Sequence, residues 1–356
     1  MYLSAETLDD LLFKLYRHLL RKRGSSDIVP TKGPATEING ALLQIKNPRA
    51  RLSRTERKNT FFSCLGEFLW YLAGTDKVKF VQYYIKDYGK HSDDGGKTTY
   101  GAYGPRLFNL NGSINQVQNI IDTLKASPSS RRAVIQLFRG EDLADNLESR
   151  REDLPCTCTL QFTVRGNQLH AVVMMRSNDA FLGLPHDVFA FTMLQELIAR
   201  SLGVEIGPYK HAVGSLHLYT KDTQAIQDYL DEGVQERIPM PAMPFGDPWP
   251  SIKNLLKAER AIRRGQPPSF SNLDPYWCDF VRLLEVFRYT QDSTRGEHQK
   301  RIAEIKKQMS SRVYDGHILK RQRRLPKPRQ SMEPMLFDPA ELDALQQLRT
   351  GDEAKR

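Results

Sequence analysis

The amino-acid sequence predicts an α+β fold, a sheet packed on long helices, and three observations carry that expectation. Three runs with strand composition lie close together at "RRAVIQLF" (131–138), "CTLQFTV" (158–164) and "QLHAVVMMR" (168–176). Ahead of them, "NTFFSCLGEFLWYLAG" (59–74) is apolar nearly all round, as a buried helix must be. After them comes "DVFAFTMLQELIARSLG" (187–203), which is apolar, then charged, then stopped by a glycine.

In chain order, the first element is an N-terminal helix. Leu8, Leu11, Leu12, Leu15 and Leu19 recur at helical spacing, with Thr7 and Asp10 placed as a capping pair. Acids this early argue against a signal peptide. Gly74 ends the second helix, and "RGNQ" between the last two strand runs marks a hairpin. A proline-rich connection, "PMPAMPFGDPWP" (239–250), divides a unit of residues 1–250 from a helical, basic C-terminal extension, residues 251–356. There Trp277, Phe280, Val281, Leu284 and Phe287 share one helix face after Pro275, and a charged helix is expected over 297–309. The run "LKRQRRLPKPRQ" (319–330) is basic and proline-broken, which reads as a solvated strap or tail, and a short amphipathic helix is expected over 339–348.

With 356 residues, 40% of them hydrophobic, the chain can bury at least one large core. No apolar run is long enough to span a bilayer. Cys64, Cys156, Cys158 and Cys278 are irregularly spaced, which gives neither a disulfide framework nor a paired metal knuckle and suggests a reducing, cytoplasmic setting. A net charge of +10 favours an anionic partner, whether nucleic acid, nucleotide phosphate or a polyglutamate tail.

The chemistry-bearing residues cluster in the strand region. Cys156 follows a proline at the start of a strand, where neighbouring arginines would depress a thiol pKa and make it a nucleophile; the alternative is an inert buried cysteine. Arg176 and Ser177 end the next strand, where a guanidinium and backbone donors suit a phosphate, and Arg131 and Arg132 offer a second such site. Surface ion pairs are the alternative for each arginine.

The block "PCTCTLQF…MMRSNDAFLGLPHDVFAFTMLQELIARSLGVEIGPYKHAVGSLHLY" resembles the core of the thymidylate synthase family. "GEFLWYLAG", "YGAYGPR" and "SSRRAVIQLF" resemble that family's glutamate helix, tyrosine-glycine motif and double arginine, and the likeness runs in family order from about Thr31 to Pro250. It implies a thymidylate synthase-like mixed sheet packed on long helices, forming a homodimer. Cys156 would add to carbon 6 of a pyrimidine nucleoside monophosphate, and carbon 5 would then take a one-carbon unit from 5,10-methylenetetrahydrofolate, with no metal. Arg176 and Ser177 would grip the phosphate, with Arg131 and Arg132 reaching in from the partner subunit. Gln161 would lie beside the nucleophile, and His217 and Tyr219 would hold the sugar hydroxyl. Asp179 would hold the pterin, with Gly183 of the Gly-Leu-Pro turn on the folate side. Glu67 would organise water and proton transfers, and Tyr103 would assist removal of the carbon 5 proton.

Four departures from the family pattern sharpen the expectation. Asp187 stands where an asparagine normally distinguishes uracil from cytosine. An amide accepts from the ring N–H of uracil and donates to its carbonyl, whereas a carboxyl can accept from the amino group of cytosine and, protonated, donate to its ring nitrogen. This resembles the cytidylate and deoxycytidylate 5-hydroxymethylases, and the expected activity is hydroxymethyl transfer to CMP or dCMP; the bland alternative for Asp187 is a helix N-cap. No tryptophan lies between Trp70 and Trp249, where the synthases carry one that shelters the methylene intermediate, so water could complete a hydroxymethyl group. The N-terminal phosphate-binding arginine is not evident, with Lys32 a substitute, and the short apolar C-terminal tail is replaced by the extension. Rival readings are a thymidylate synthase, a dUMP hydroxymethylase, or a basic nucleic-acid-binding protein using "KRQRRLPKPR"; that run lacks the interleaved aromatics that stack bases.

Overall fold

A computed structural model describes residues 1–24, 27–30, 33–55, 60–149, 151, 153–292 and 295–323. Lys32 and the helix expected over 339–348 lie outside the described residues. The strands are β1 Tyr2–Ala5, β2 Asp27–Ile28, β3 Ala35–Ile45, β4 Val134–Gln136, β5 Thr157–Arg165, β6 Gln168–Asp179 and β7 Glu205–Tyr219. They form one mixed sheet in the order β1-β3-β7-β6-β5-β4, with β2 beside β3. The pairs β1–β3 and β6–β7 are parallel, and β3–β7, β5–β6 and β4–β5 are antiparallel. The helices are α1 Leu8–Lys22, α2 Phe61–Leu72, α3 Val78–Gln82, α4 Tyr103–Phe108, α5 Gln116–Ala126, α6 Gly140–Ser149, α7 Gly183–Leu202, α8 Thr223–Asp231, α9 Trp249–Arg263, α10 Pro275–Asp292, α11 Arg295–Gln308 and α12 Asp315–Arg323. The α+β expectation holds.

Local chemistry explains most boundaries. The Thr7 hydroxyl accepts the Asp10 N–H and caps α1. Gly166 and Asn167 both take positive φ in the β5–β6 turn, the type I′ geometry that matches strand twist. Gly203, at φ 70°, ends α7 in the left-handed conformation. This helix begins four residues before the expected Asp187, because Asp179 Oδ1 accepts the N–H groups of Phe181 and Leu182 and turns the chain early. Asp187 is therefore inside the helix rather than its N-cap. β4 is shorter than the run 131–138, since the Leu137 and Phe138 N–H groups converge on one carbonyl, that of Cys158, and break the ladder.

The core sits between sheet and helices. Leu169, Ala171, Val173 and Met175 of β6 are buried on the face that α7 covers, and α2 packs on the far side of α7, so α7 is buried on nearly all sides. The alternate residues Val172 and Met174, with Val134 of β4 and Tyr2 of β1, are exposed. One sheet face is thus bare in the single chain.

The extension packs on the same core. Phe61 stacks on Tyr314 at 5.6 Å between ring centroids, and Phe62 meets Phe287 at 6.0 Å. The expected strap begins as ordered helix: Lys320 of α12 donates to the Thr55 carbonyl, and the Arg321 guanidinium lies 4.6 Å from the Phe287 ring centroid. Cation–π contact and the carbonyl partner hold basic residues that sequence pattern assigns to solvent; the remainder, 324–330, is outside the described residues. The expected division at residue 250 falls within α9, whose Glu259 accepts from the Tyr84 hydroxyl at 3.0 Å.

That contact depends on a glycine. A Cβ on Gly66 of α2 would sit 2.1 Å from Cγ of Tyr84, whose ring is held by Glu259 and by Phe287. Overpacking of this kind costs about 1–3 kcal/mol or more. Gly66→Ala is expected to lower the unfolding midpoint in urea accordingly; an unchanged midpoint would show that the close packing of α2 on Tyr84 is dispensable.

Candidate active site

Cys156 sits in a bend immediately before β5, half-buried, and its surroundings are fixed by Arg176. The Arg176 N–H donates to the Cys156 carbonyl at 2.9 Å, while its Nε and Nη2 donate to the carbonyls of Pro155 and Leu154 at 3.0 and 3.2 Å. The loop before Cys156 is thereby clamped to the end of β6. A glycine makes this close approach feasible: a Cβ on Gly214 of β7 would lie 2.9 Å from the Arg176 carbonyl oxygen. A guanidinium has five N–H donors, so the exposed Arg176 keeps donors for an incoming anion. On the other side, the Thr157 N–H and hydroxyl donate to the Tyr103 Oη at 3.1 and 2.9 Å.

Tyr103 leads to two carboxyl groups. Burial first, then Asp187 and Cys156, hold the Tyr103 phenol well above its ordinary pKa, so it stays protonated at neutral pH. Its ring lies 5.1 Å from that of Tyr71, whose hydroxyl donates to Glu67 Oε1 at 2.9 Å. Tyr88 donates to the same oxygen at 3.3 Å and packs edge-on against Trp70. Glu67 is buried on α2 and is satisfied by these phenols.

Asp187 is buried on α7, one turn in from its start. Burial, and next the charge of Glu67, raise its pKa from 3.8 to about 7, while Asn178 and His186 oppose the rise. Its Oδ2 accepts from the Asn178 amide at 2.7 Å, the Asn178 Oδ1 meets His211 Nε2 at 3.0 Å, and His211 Nδ1 meets the Tyr209 hydroxyl at 2.7 Å. Gly183 leaves room for this: a Cβ there would lie 3.0 Å from the Asn178 amide nitrogen. Its neighbour His186 has Nδ1 on the Leu182 carbonyl and Nε2 on the Ser63 hydroxyl, each at 2.9 Å, and Ser63 itself donates to the Thr60 carbonyl. Both ring nitrogens therefore face acceptors, the pattern of an imidazolium. Burial opposes that charge, but Cys64, Glu67 and the Leu182 carbonyl outweigh it and raise the pKa to about 10.

The parallel register of β6 and β7 sets Ser177 beside Ser215 and Asp179 beside His217. His217 is buried and packs edge-on against Tyr219 at 5.0 Å. Burial, with Asp179 and Cys156 nearby, raises the Tyr219 pKa. Cys156, Tyr103, Glu67, Asp187, Arg176, Ser177, Asp179, His217 and Tyr219 thus gather at the ends of β5, β6 and β7 and the facing turns of α2, α4 and α7. Arg131 and Arg132 are not brought there by their own chain. They are exposed just before β4, with the Arg131 carbonyl accepting from Gln161 at 3.0 Å. Gln161 pairs with Val134 rather than with the Cys156 loop. Gly183 contacts Asn178, so its visible role is to make space for the Asn178–Asp187 bond.

Arg176→Ala removes two donors to the carbonyls of the Cys156 loop together with an exposed guanidinium able to meet an anion. Hydrogen bonds to charged groups contribute about 1.5–3 kcal/mol. The Michaelis constant for an anionic substrate is therefore expected to rise about 10- to 100-fold, with a lower melting temperature. Equal constants for the variant and the parent would remove Arg176 from the anion site.

Sequence reasoning overlooked Asn178, Tyr71, Tyr88 and the pair Tyr209–His211. Asn178 had a signal, an amide at the variable position between Ser177 and Asp179, but only its direction toward α7 reveals the role. Tyr71 had a signal in its i,i+4 spacing from Glu67 on α2, whereas Tyr88 lies beyond that helix and reaches Glu67 only through the fold.

Among the described residues no cluster of three or more His, Cys, Asp or Glu side chains could hold a metal ion, and no helix is long and apolar enough to cross a membrane. Two curated relatives are similar to the chain. The deoxyuridylate hydroxymethyltransferase of Bacillus phage SP01 is 33% identical over 210 residues, covering 55% of this chain and 54% of that protein. The protein of the same name from Delftia phage PhiW-14 is 29% identical over 208 residues, covering 56% of this chain and 57% of its own. The chain thus spans about half the length of these relatives. The thymidylate synthase family model matches residues 31–256, a span that holds every residue of the site described above. With that match over more than half its length, the chain belongs to the thymidylate synthase family.

Proposed function

We propose that the protein is a pyrimidine nucleotide 5-hydroxymethyltransferase acting on CMP or dCMP. The observation that carries this reading is Asp187: a buried carboxyl, poised near neutrality, bonded to a buried amide at the inner end of the site. A carboxyl in that state offers an acceptor for the cytosine amino group and a donor for the ring nitrogen.

In this reading Cys156 adds its sulfur to carbon 6, and the π electrons of the 5,6 bond make carbon 5 nucleophilic. Arg176 and Ser177 hold the phosphate, and the Arg176 clamp on Leu154 and Pro155 keeps the thiol aimed at the ring. The half-buried Asp179 spends Oδ1 on two backbone amides and presents a carboxylate to the N–H groups of a pterin, which fits 5,10-methylenetetrahydrofolate as co-substrate. That molecule supplies a carbon at the oxidation level of formaldehyde and leaves as tetrahydrofolate. Tyr103, kept protonated, positions the water that takes the carbon 5 proton. Glu67, held by Tyr71 and Tyr88, orients the water whose oxygen completes the hydroxymethyl group. Expulsion of the Cys156 thiolate restores the 5,6 double bond.

A homodimer accompanies this reading. The bare sheet face with exposed Val134, Val172 and Met174 suits a second copy, and the exposed Arg131 and Arg132 beside it would then reach the partner's phosphate site. Residues 251–356 would act as a layer added to the catalytic unit of residues 1–250, cytoplasmic in setting.

The names of the two relatives favour a second reading, deoxyuridylate as substrate, since a protonated carboxyl can also accept from the uracil ring N–H and donate to its carbonyl. Mass spectra of CMP, dCMP and dUMP after incubation with protein and methylenetetrahydrofolate separate the cases. A cytosine nucleotide heavier by one formaldehyde unit is the expected product. The same gain on dUMP alone favours the second reading, and no gain on any of them removes the function.

A further inference from the structure

The row of buried groups behind Asp187 has a direction. Tyr209 and His211 are fully buried, and Asn178 and Asp187 nearly so. A buried hydroxyl hydrogen needs an acceptor. For Tyr209, His211 Nδ1 stands 2.7 Å away, and no other acceptor for it is seen among the described residues. With its Nδ1 accepting, the neutral imidazole carries its hydrogen on Nε2 and donates to the Asn178 Oδ1. The Asn178 amide is then fixed with Nδ2 toward Asp187 Oδ2. The reverse direction would strand the Tyr209 hydrogen in an apolar interior.

On the reading that Asp187 meets the pyrimidine, we propose that Tyr209 and His211 are positioning residues that select the base. They make Asp187 Oδ2 a permanent acceptor and confine the carboxyl proton to Oδ1. Cytosine and uracil both need one donor and one acceptor at ring position 3 and exocyclic position 4, but in opposite order. A carboxyl free to carry its proton on either oxygen could serve both bases. One with a fixed order serves a single base in a given docked pose, and the other base meets donor against donor and acceptor against acceptor.

The test compares the full-length protein with Tyr209→Phe and, as the control on the underlying reading, Asp187→Ala, which removes donor and acceptor together. The readout is the ratio of kcat/KM for the preferred nucleotide to that for the disfavoured one, taken from CMP, dCMP and dUMP. General loosening of the core lowers both rates alike, whereas loss of direction lowers the ratio. Tyr209→Phe is expected to reduce the ratio at least about tenfold, the scale of one lost buried hydrogen-bond preference. If Asp187→Ala changes the ratio and Tyr209→Phe does not, the relay is overturned while the base reader stands; if neither changes it, both fall. Should Tyr209→Phe not fold, the 15N spectrum of the parent protein's imidazoles, assigned through His211→Gln, decides: a hydrogen on Nε2 supports the relay and a hydrogen on Nδ1 overturns it.

Discussion

Cys156→Ser is expected to lose at least about 10⁴-fold in kcat while unfolding within about 1 °C of the parent protein. The large loss follows from nucleophilicity. A thiol near neutral pH yields a usable fraction of thiolate, whereas a serine hydroxyl ionises far less readily and is a much weaker nucleophile. The small structural cost follows from the geometry. The Cys156 carbonyl holds the strand junction through the Arg176 N–H, and the side chain is half-buried in a bend. Cys158 is the natural comparison. Burial raises its thiol pKa despite the nearby Arg176, which makes it a poor thiolate. Cys158→Ser is expected to retain most of the turnover. The measurement is product formation by mass spectrometry for both variants, beside thermal unfolding. Turnover of Cys156→Ser within tenfold of the parent would mean that the covalent route is wrong.

Periodicity was a sound guide wherever one face of an element decides its fate. The leucines of α1, the aromatic face of α10 and the apolar α7 were all legible, because burying such a stripe outweighs local preferences. The boundaries that shifted did so for reasons carried by side chains far along the chain or by single hydrogen bonds. Asp179 starts α7 early by capping two amides, and Arg321 is ordered by Phe62 and Phe287, which lie far from it in sequence. The site shows the same division. Cys156, Arg176, Asp179 and His217 stand in a readable motif, whereas Asn178, His211 and Tyr209 acquire meaning only through contacts between β6, β7 and α7. A motif fixes which groups touch a substrate. The polarity of the groups behind them depends on three-dimensional neighbours.

Asp187→Asn is expected to leave the base preference standing and, separately, to stabilise the protein at alkaline pH. For the base, the amide has a fixed donor and a fixed acceptor. With Asn178 Nδ2 directed at it, its oxygen faces inward to accept and its NH₂ takes the place of Oδ1. That is the order the relay imposes on the carboxyl, an acceptor at Oδ2 and a donor at Oδ1, so the preferred base meets the same edge and a site built to pair buried polar groups still rejects the other. The ratio of kcat/KM for cytosine over uracil nucleotides is expected to stay within about tenfold of the parent's, and a reversal would mean that the carboxyl carries its donor and acceptor in the other order. For stability, the folded pKa of about 7 lies above the ordinary 3.8. Between those values the folded protein keeps the proton and the unfolded chain does not, so stability falls as pH rises from about 4 to about 7 and is flat beyond. The rise costs on the order of 4 kcal/mol above pH 8, and the asparagine, which never ionises, avoids it. Urea unfolding at pH 8 should therefore find Asp187→Asn more stable than the parent, with the gap closing towards pH 5. A gap that widens as pH falls would place the ionised form as the favoured one in the fold, and would take the donor away from the base-reading carboxyl.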